Sequence, residues 1–315
     1  MRIGYSTWSM KATPYDVFLP RLQEIGYTAI ALDVSAGGGR GTGSQVPNDL
    51  ARLTADDRRR IKTECQERGI EIDAVMGHTN MLSRDPEQAR ANMERLKRTI
   101  DFCVEVAPQG QRPPAMTSTA GGGPNSYAED KALIIERAGE LAEYARSRGV
   151  VFGLEVHANT AVSTPDRVDE VLGAINSPHC RLDFDGSHFE VQLIPMEQVI
   201  PQVLPWTVVV DIKDQRVRYA DEPAPEGWRI PGNGIDRTQT LDGRAVEWQW
   251  VVGGEGDFQL PKFLRLMQQQ GWTGAVCYEL SIQVQRRPDF DALAAAAQTY
   301  RWMAAGWEEA GVTTA

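Results

Sequence analysis

The stretch RLDFDGSH, residues 181–188, sets Asp183 and Asp185 one residue apart at the end of an apolar run and follows them with His188. Alternate side chains of an extended strand share a face, so the two aspartates project together while Leu182 and Phe184 project oppositely. The pattern recurs in three further apolar runs: VVFGLEVH ends in Glu155 and His157, WTVVVDIKD in Asp211 and Lys213, and GAVCYELS in Glu279. An isolated carboxylate is costly to desolvate and is rarely buried without a partner. Carboxylates converging from several strands repel unless a cation holds them, and a divalent metal is the simplest such cation. For any single residue the alternative is a helix cap or a pair with a nearby Arg or Lys.

Positioning such a set requires strands that emerge side by side. Short β-branched or apolar runs alternate along the chain with amphipathic helical stretches, which predicts a parallel sheet with crossover helices. The expected strands are Arg2–Ser6, Thr28–Val34, Ile70–Met76, Ala115–Ser118, Val150–Val156, Cys180–Phe184, Thr207–Ile212 and Gly274–Leu280. Eight strand-plus-helix units in 315 residues favour a closed (β/α)8 TIM barrel of one domain, in which catalytic groups sit at the C-terminal ends of the strands. No GxGxxG follows the first strand, which removes the usual dinucleotide reading. Two long connections interrupt the rhythm, SAGGGRGTGSQVP after the second strand and an insertion over 214–252 after the seventh. Long loops are commonly lids or binding segments. The insertion, with Trp228, Trp248 and Trp250, suits either a cover over a pocket or a subunit contact.

The net charge of −10 opposes phosphate backbones and anionic lipid, so nucleic acid and membrane are poor partners. Cys65, Cys103, Cys180 and Cys277 form no CxxC pair and read as the reduced thiols of a cytoplasmic protein. The start, MRIGYSTWSM, carries no leader pattern, and no apolar run approaches the roughly 18 residues of a membrane helix. A chain of this length needs no metal merely to fold, so a bound metal would serve chemistry.

The wording of the second half resembles the xylose isomerase-like barrels, a family that includes sugar-phosphate isomerases, ketose 3-epimerases and inosose dehydratases. GLEVHANTAVSTPDRVDEVL is similar to the family's Glu-x-His stretch after strand five, FDGSHF to its Asp-x-x-His after strand six, and GGEGDFQLPKFLRLMQQQGWTGAVCYEL to its Gly-Glu-Gly segment and glutamate-ending last strand. The resemblance implies metal ligands at Glu155, Asp185, Asp211 and Glu279, with Asp183 one pleat deeper in support. One position departs from the family: its His-x-Lys-Asp stretch is Asp211-Ile212-Lys213-Asp214 here. If Asp211 ligates, the all-oxygen shell suits Mn²⁺ or Mg²⁺; if it turns away, His188 or His157 enters and Zn²⁺ or Co²⁺ becomes plausible.

A metal so held polarises a sugar carbonyl, and carboxylates move the acidified proton. The resemblance implies an isomerase or epimerase working through an enediolate on a small carbohydrate, with Glu155 and Glu279 as the acid/base pair. His188, His157, His78, Lys213 and Arg216 are the expected substrate contacts, and His179, before a strand, is structural. Ala161 stands where epimerases carry a second glutamate, and together with the long insertion it favours a bulkier substrate. The alternative is therefore a lyase or dehydratase, eliminating from a 3-oxo-glycoside or cyclitol, possible also with a partner subunit. A homo- or hetero-oligomer is expected, and the reading from another class is a non-catalytic sugar-binding subunit.

Overall fold

In a computed structural model, which describes residues 1–36 and 47–313, eight parallel strands close into a barrel. They are β1 (Arg2–Ser6), β2 (Ala29–Asp33), β3 (Glu71–Met76), β4 (Ala115–Thr119), β5 (Phe152–Glu155), β6 (Cys180–Asp185), β7 (Thr207–Ile212) and β11 (Ala275–Tyr278). The order around the barrel is β1-β11-β7-β6-β5-β4-β3-β2, so β11 is the eighth barrel strand. Most of the glycine-rich stretch after β2 lies outside the described residues.

Alternation divides each strand. Outward positions such as Ile30, Val75, Met116, Phe152, Leu182, Phe184, Val210 and Val276 join the large apolar core beneath the helices. Inward positions are mostly small: Ala29, Ala31, Ala74, Ala115, Val209, Ala275 and Cys277 form a separate inner cluster with one larger member, Met76. Gly4 also faces inward, where a Cβ would stand 2.4 Å from Cys277 Sγ. Small inner side chains bring the strands close and leave the polar groups at their C-terminal ends to fill the mouth. All four cysteines are buried and free, and His179 Nδ1 bonds to the Val150 carbonyl at 2.7 Å, a structural contact. No helix among the described residues is long and apolar enough to cross a membrane.

The insertion is more regular than its sequence suggests. It folds as a three-stranded antiparallel sheet in the order β8 (Asp214–Tyr219), β10 (Ala245–Val251), β9 (Asp236–Gln239). β8 begins immediately beyond the end of β7, and its partner lies about thirty residues downstream in the register Trp248↔Val217 and Trp250↔Gln215. Glu247 receives Arg218 at 2.6 Å and Arg237 at 2.8 Å across this sheet. The buried Trp248 and Trp250 pack into the main core.

At the opposite, N-terminal end, a cavity of about 570 Å³ is lined by Asp73, Lys62, Gln66 and Arg112 among others. Asp73 is 12 % exposed and only 3.7 Å from Arg2, and burial pushes its carboxyl up to about 6 against the pull of that arginine. Because the folded state holds this proton more tightly than the unfolded chain, the group's contribution is fully present below the unfolded value near 3.8 and is lost as pH rises through about 6. Asp73→Asn should therefore stabilise the protein at pH 8 by about 1–2 kcal/mol, with the gain vanishing by pH 4. Denaturant unfolding at the two pH values checks this, and an equal effect at both would contradict it.

Candidate active site

Parallel register brings the charged strand ends to one level. Glu155 pairs with Asp183 between β5 and β6, and Asp185 with Asp211 between β6 and β7. The β7–β11 register of Cys277↔Asp211 and Tyr278↔Ile212, continued by one residue, places Lys213 beside Glu279. Every one of these side chains is buried.

Glu155, Asp185 and Glu279 bring ligand oxygens within 4.8 Å of one another. A second group of the same spread joins Glu155 to His157 and His188. Glu155 Oε1 lies 2.6 Å from His157 Nε2, while its Oε2 has no hydrogen-bond partner and sits 3.6 Å from His78 Nδ1. Asp185 Oδ1 accepts from the Ser187 N–H at 3.0 Å and from the Ser187 hydroxyl. Asp185 Oδ2 receives the Lys213 ammonium, which also reaches Glu279 Oε1 at 2.7 Å. His157 and His188 stack with ring centroids 4.1 Å apart, and Trp250 of the insertion sheet meets His188 edge-on at 5.2 Å.

Asp211 does not join either group. It faces Asp183 one layer deeper, and neither oxygen of Asp183 nor Asp211 Oδ1 has a hydrogen-bond donor among the described residues. Burial, then the neighbouring carboxylates, push both groups well above the usual carboxylate range. The expected fourth ligand is thus turned to a carboxyl partner. Arg216 is also drawn elsewhere: its guanidinium donates to the carbonyls of Glu255 at 3.0 Å and Gly227 at 2.7 Å, tying the insertion to the turn after β10.

The electrostatics separate the two glutamates. Burial opposes ionisation of Glu155, but His157, His78 and Lys213 outweigh it and hold the carboxylate far below its ordinary value. Burial raises Glu279 to about 7 in spite of Lys213. Burial likewise opposes charge on Asp185, Lys213 and His157, yet their partners outweigh it: Lys213 lowers Asp185, Asp185 and Glu279 raise Lys213, and Glu155 raises His157. His188, buried beside His157, is held neutral.

These residues fit a divalent metal. The donors are three carboxylates from three strands, Glu155 Oε2 is buried without a partner, and both ring nitrogens of neutral His188 are buried and unpartnered.

Beside this cluster opens a cavity of about 670 Å³ whose lining includes Trp8, Lys11, His78, Asn80, Gln283 and Arg286. Trp8 stands edge-on to His78 at 5.2 Å, and Lys11 Nζ lies 3.5 Å from the Trp8 ring centre and 3.0 Å from Asp33 Oδ2. The sequence reading missed Trp8, Lys11, Asp33 and Trp250's contact. Asp33 ends β2 as Asp185 ends β6, so the strand-end rule that found the others applies to it equally. Ala161 is fully buried, and a Cβ on Gly122 would stand 2.7 Å from its methyl, so no glutamate fits there without a shift.

A family model described as the xylose isomerase-like TIM barrel matches residues 19–305. The chain belongs to the xylose isomerase-like TIM barrel family. No curated protein matches it by sequence. Among solved structures it is similar to a xylose isomerase-like TIM barrel protein from Mycobacterium smegmatis in complex with magnesium, at 17 % identity and TM-score 0.64, covering 98 % of this chain and 97 % of that one. It is also similar to the 3-keto-D-glucoside 4-epimerase of E. coli, at 14 % identity and TM-score 0.67, covering 97 % and 99 %. A probable 3-DHS dehydratase of petrobactin synthesis from Bacillus anthracis matches at 15 % identity and TM-score 0.67, covering 96 % and 99 %. At these identities the likeness carries the fold, and the similar structures include epimerases and a probable dehydratase.

Proposed function

We propose that this chain is a metal-dependent isomerase or epimerase of a small carbohydrate, working through an enediolate. The observation that carries the reading is the convergence of Glu155 and Glu279, from barrel strands five and eight, on one buried cluster with Asp185 at the mouth. A metal would be held by Glu155, Asp185 and Glu279, with His188 or His157 completing the shell, a mixed set that would suit Mn²⁺ and would also accept Zn²⁺ or Co²⁺. When bound, it supplies Lewis-acid polarisation of a carbonyl.

The chain's own groups do the rest. The two glutamates stand on different strands, so one removes the proton next to the carbonyl and the other returns a proton at the neighbouring carbon or on the opposite face. His78 lines the adjoining cavity and orients substrate oxygens, and Trp8 offers an aromatic wall there. Trp250 closes the far side against His188, which keeps water from the reacting carbons. An epimerase and a dehydratase among the similar structures are consistent with this chemistry.

Incubation of the Mn²⁺-loaded protein with ketoses and 3-oxo-glycosides in D₂O, followed by mass spectrometry, tests the reading. Deuterium should enter one carbon-bound position with the carbon skeleton and substituents retained. Loss of water or of an aglycone would move the assignment to a lyase, and no exchange into any substrate would remove the enolising reading.

A further inference from the structure

The carboxylates assigned to the metal already hold a cation of the chain's own. Lys213 follows Asp211 on the same inward face, and its side chain is 5 % exposed. Its ammonium pairs with Asp185 Oδ2 and, at 2.7 Å, with Glu279 Oε1, between side chains that are 0 % and 6 % exposed. Nothing displaces it toward solvent: Trp250 stands above it with the ring centre 5.9 Å from Nζ.

Two features make this a competition. Hard divalent ions bind carboxylate oxygens at about 2.0–2.6 Å, so an ion shared by Glu155, Asp185 and Glu279 would sit against the same two carboxylates that Lys213 contacts. Two cations on the same buried oxygens repel in a medium that screens them weakly. Each of the three carboxylates also already has a partner of the chain's own, since Lys213 reaches Asp185 and Glu279 and His157 Nε2 lies 2.6 Å from Glu155 Oε1.

We propose that Lys213 is an internal competitor for the metal, so that its ammonium must leave Asp185 and Glu279 before a divalent ion engages both, and that it thereby sets the affinity of the site. The inference rests on the metal-dependent reading above. It makes the site a weak, exchangeable one, in which the identity of residue 213 governs how much metal the protein carries.

The test is calorimetric titration of Mn²⁺ into metal-stripped wild type, Lys213→Met and Lys213→Gln, with thermal melting of each at zero and saturating Mn²⁺. Both variants should bind Mn²⁺ at least about tenfold more tightly, and their melting points should rise more on Mn²⁺ addition than that of wild type. Lys213→Gln keeps a hydrogen-bond donor between the carboxylates, so it serves if the methionine variant is unfolded when stripped; a variant that folds only with Mn²⁺ supports the proposal. Unchanged or weaker binding in the folded variants, beside clear binding by wild type, overturns the proposal and leaves the metal reading standing. No Mn²⁺ uptake by any of the three at millimolar concentration overturns both.

Discussion

Glu155→Gln and Glu279→Gln should each lower solvent-deuterium exchange into substrate by about 10²–10⁴-fold, the range that a positioned general acid or base contributes. Glutamine keeps the size and one oxygen of the side chain, so the loss reports proton transfer and ligation more than packing. The two variants should differ in what else they disturb. Glu279→Gln weakens one of the two anchors of Lys213 and leaves Asp185 as the other. Glu155→Gln removes the carboxylate that raises His157, so the imidazole, without its 2.6 Å partner, should titrate lower than in wild type. Exchange rates measured beside the histidine ring-proton shifts separate these effects. Retention of exchange within about tenfold in both variants would remove the pair from the proton-transfer role.

Asp214→Asn should cost about 3 kcal/mol, because two buried N–H groups lose an acceptor and meet an NH₂ instead. Asp214 ends the family-like DIKD stretch and its carboxylate organises the turn after β10. Oδ2 accepts the Gly254 and Gly256 N–H groups, each at 2.8 Å, and Oδ1 accepts those of Gln215 at 2.9 Å and Phe258 at 3.2 Å. Gly256 is required for that approach, since a Cβ there would stand 2.3 Å from Asp214 Oδ1 and 2.5 Å from the Gln215 carbonyl. Gly256→Ala should thus destabilise by a comparable amount, and the double variant should cost less than the sum because both break one contact. Denaturant midpoints for the three proteins decide the matter; strict additivity would show that the turn and the carboxylate are independent. The loosened turn adjoins Lys213, so these variants should also bind Mn²⁺ differently from wild type.

Much of this was legible in the residues. β1 and the strand ends at Glu155, Asp185 and Glu279 follow from alternation and apolar runs, which are local properties. The insertion sheet was not, because AVEWQWV alternates like a strand but its partner begins about thirty residues earlier, directly beyond β7. Asp33 escaped notice through an incomplete application of the same strand-end rule, whereas Trp8 and Arg286 have no local signal and become neighbours of the site only when the first and last units meet around the closed barrel.

The sequence by itself determined the barrel, its order of units and the set of charged groups that emerge at its mouth, because strand alternation and strand-end placement depend only on neighbours along the chain. Only the tertiary structure decided how those groups pair. Asp211 and Lys213 share a face of one strand, yet Asp211 turns to Asp183 and Lys213 to Asp185 and Glu279. That choice depends on β6 and β11 flanking β7 in the closed sheet, and on burial that forbids any of these charges from standing alone.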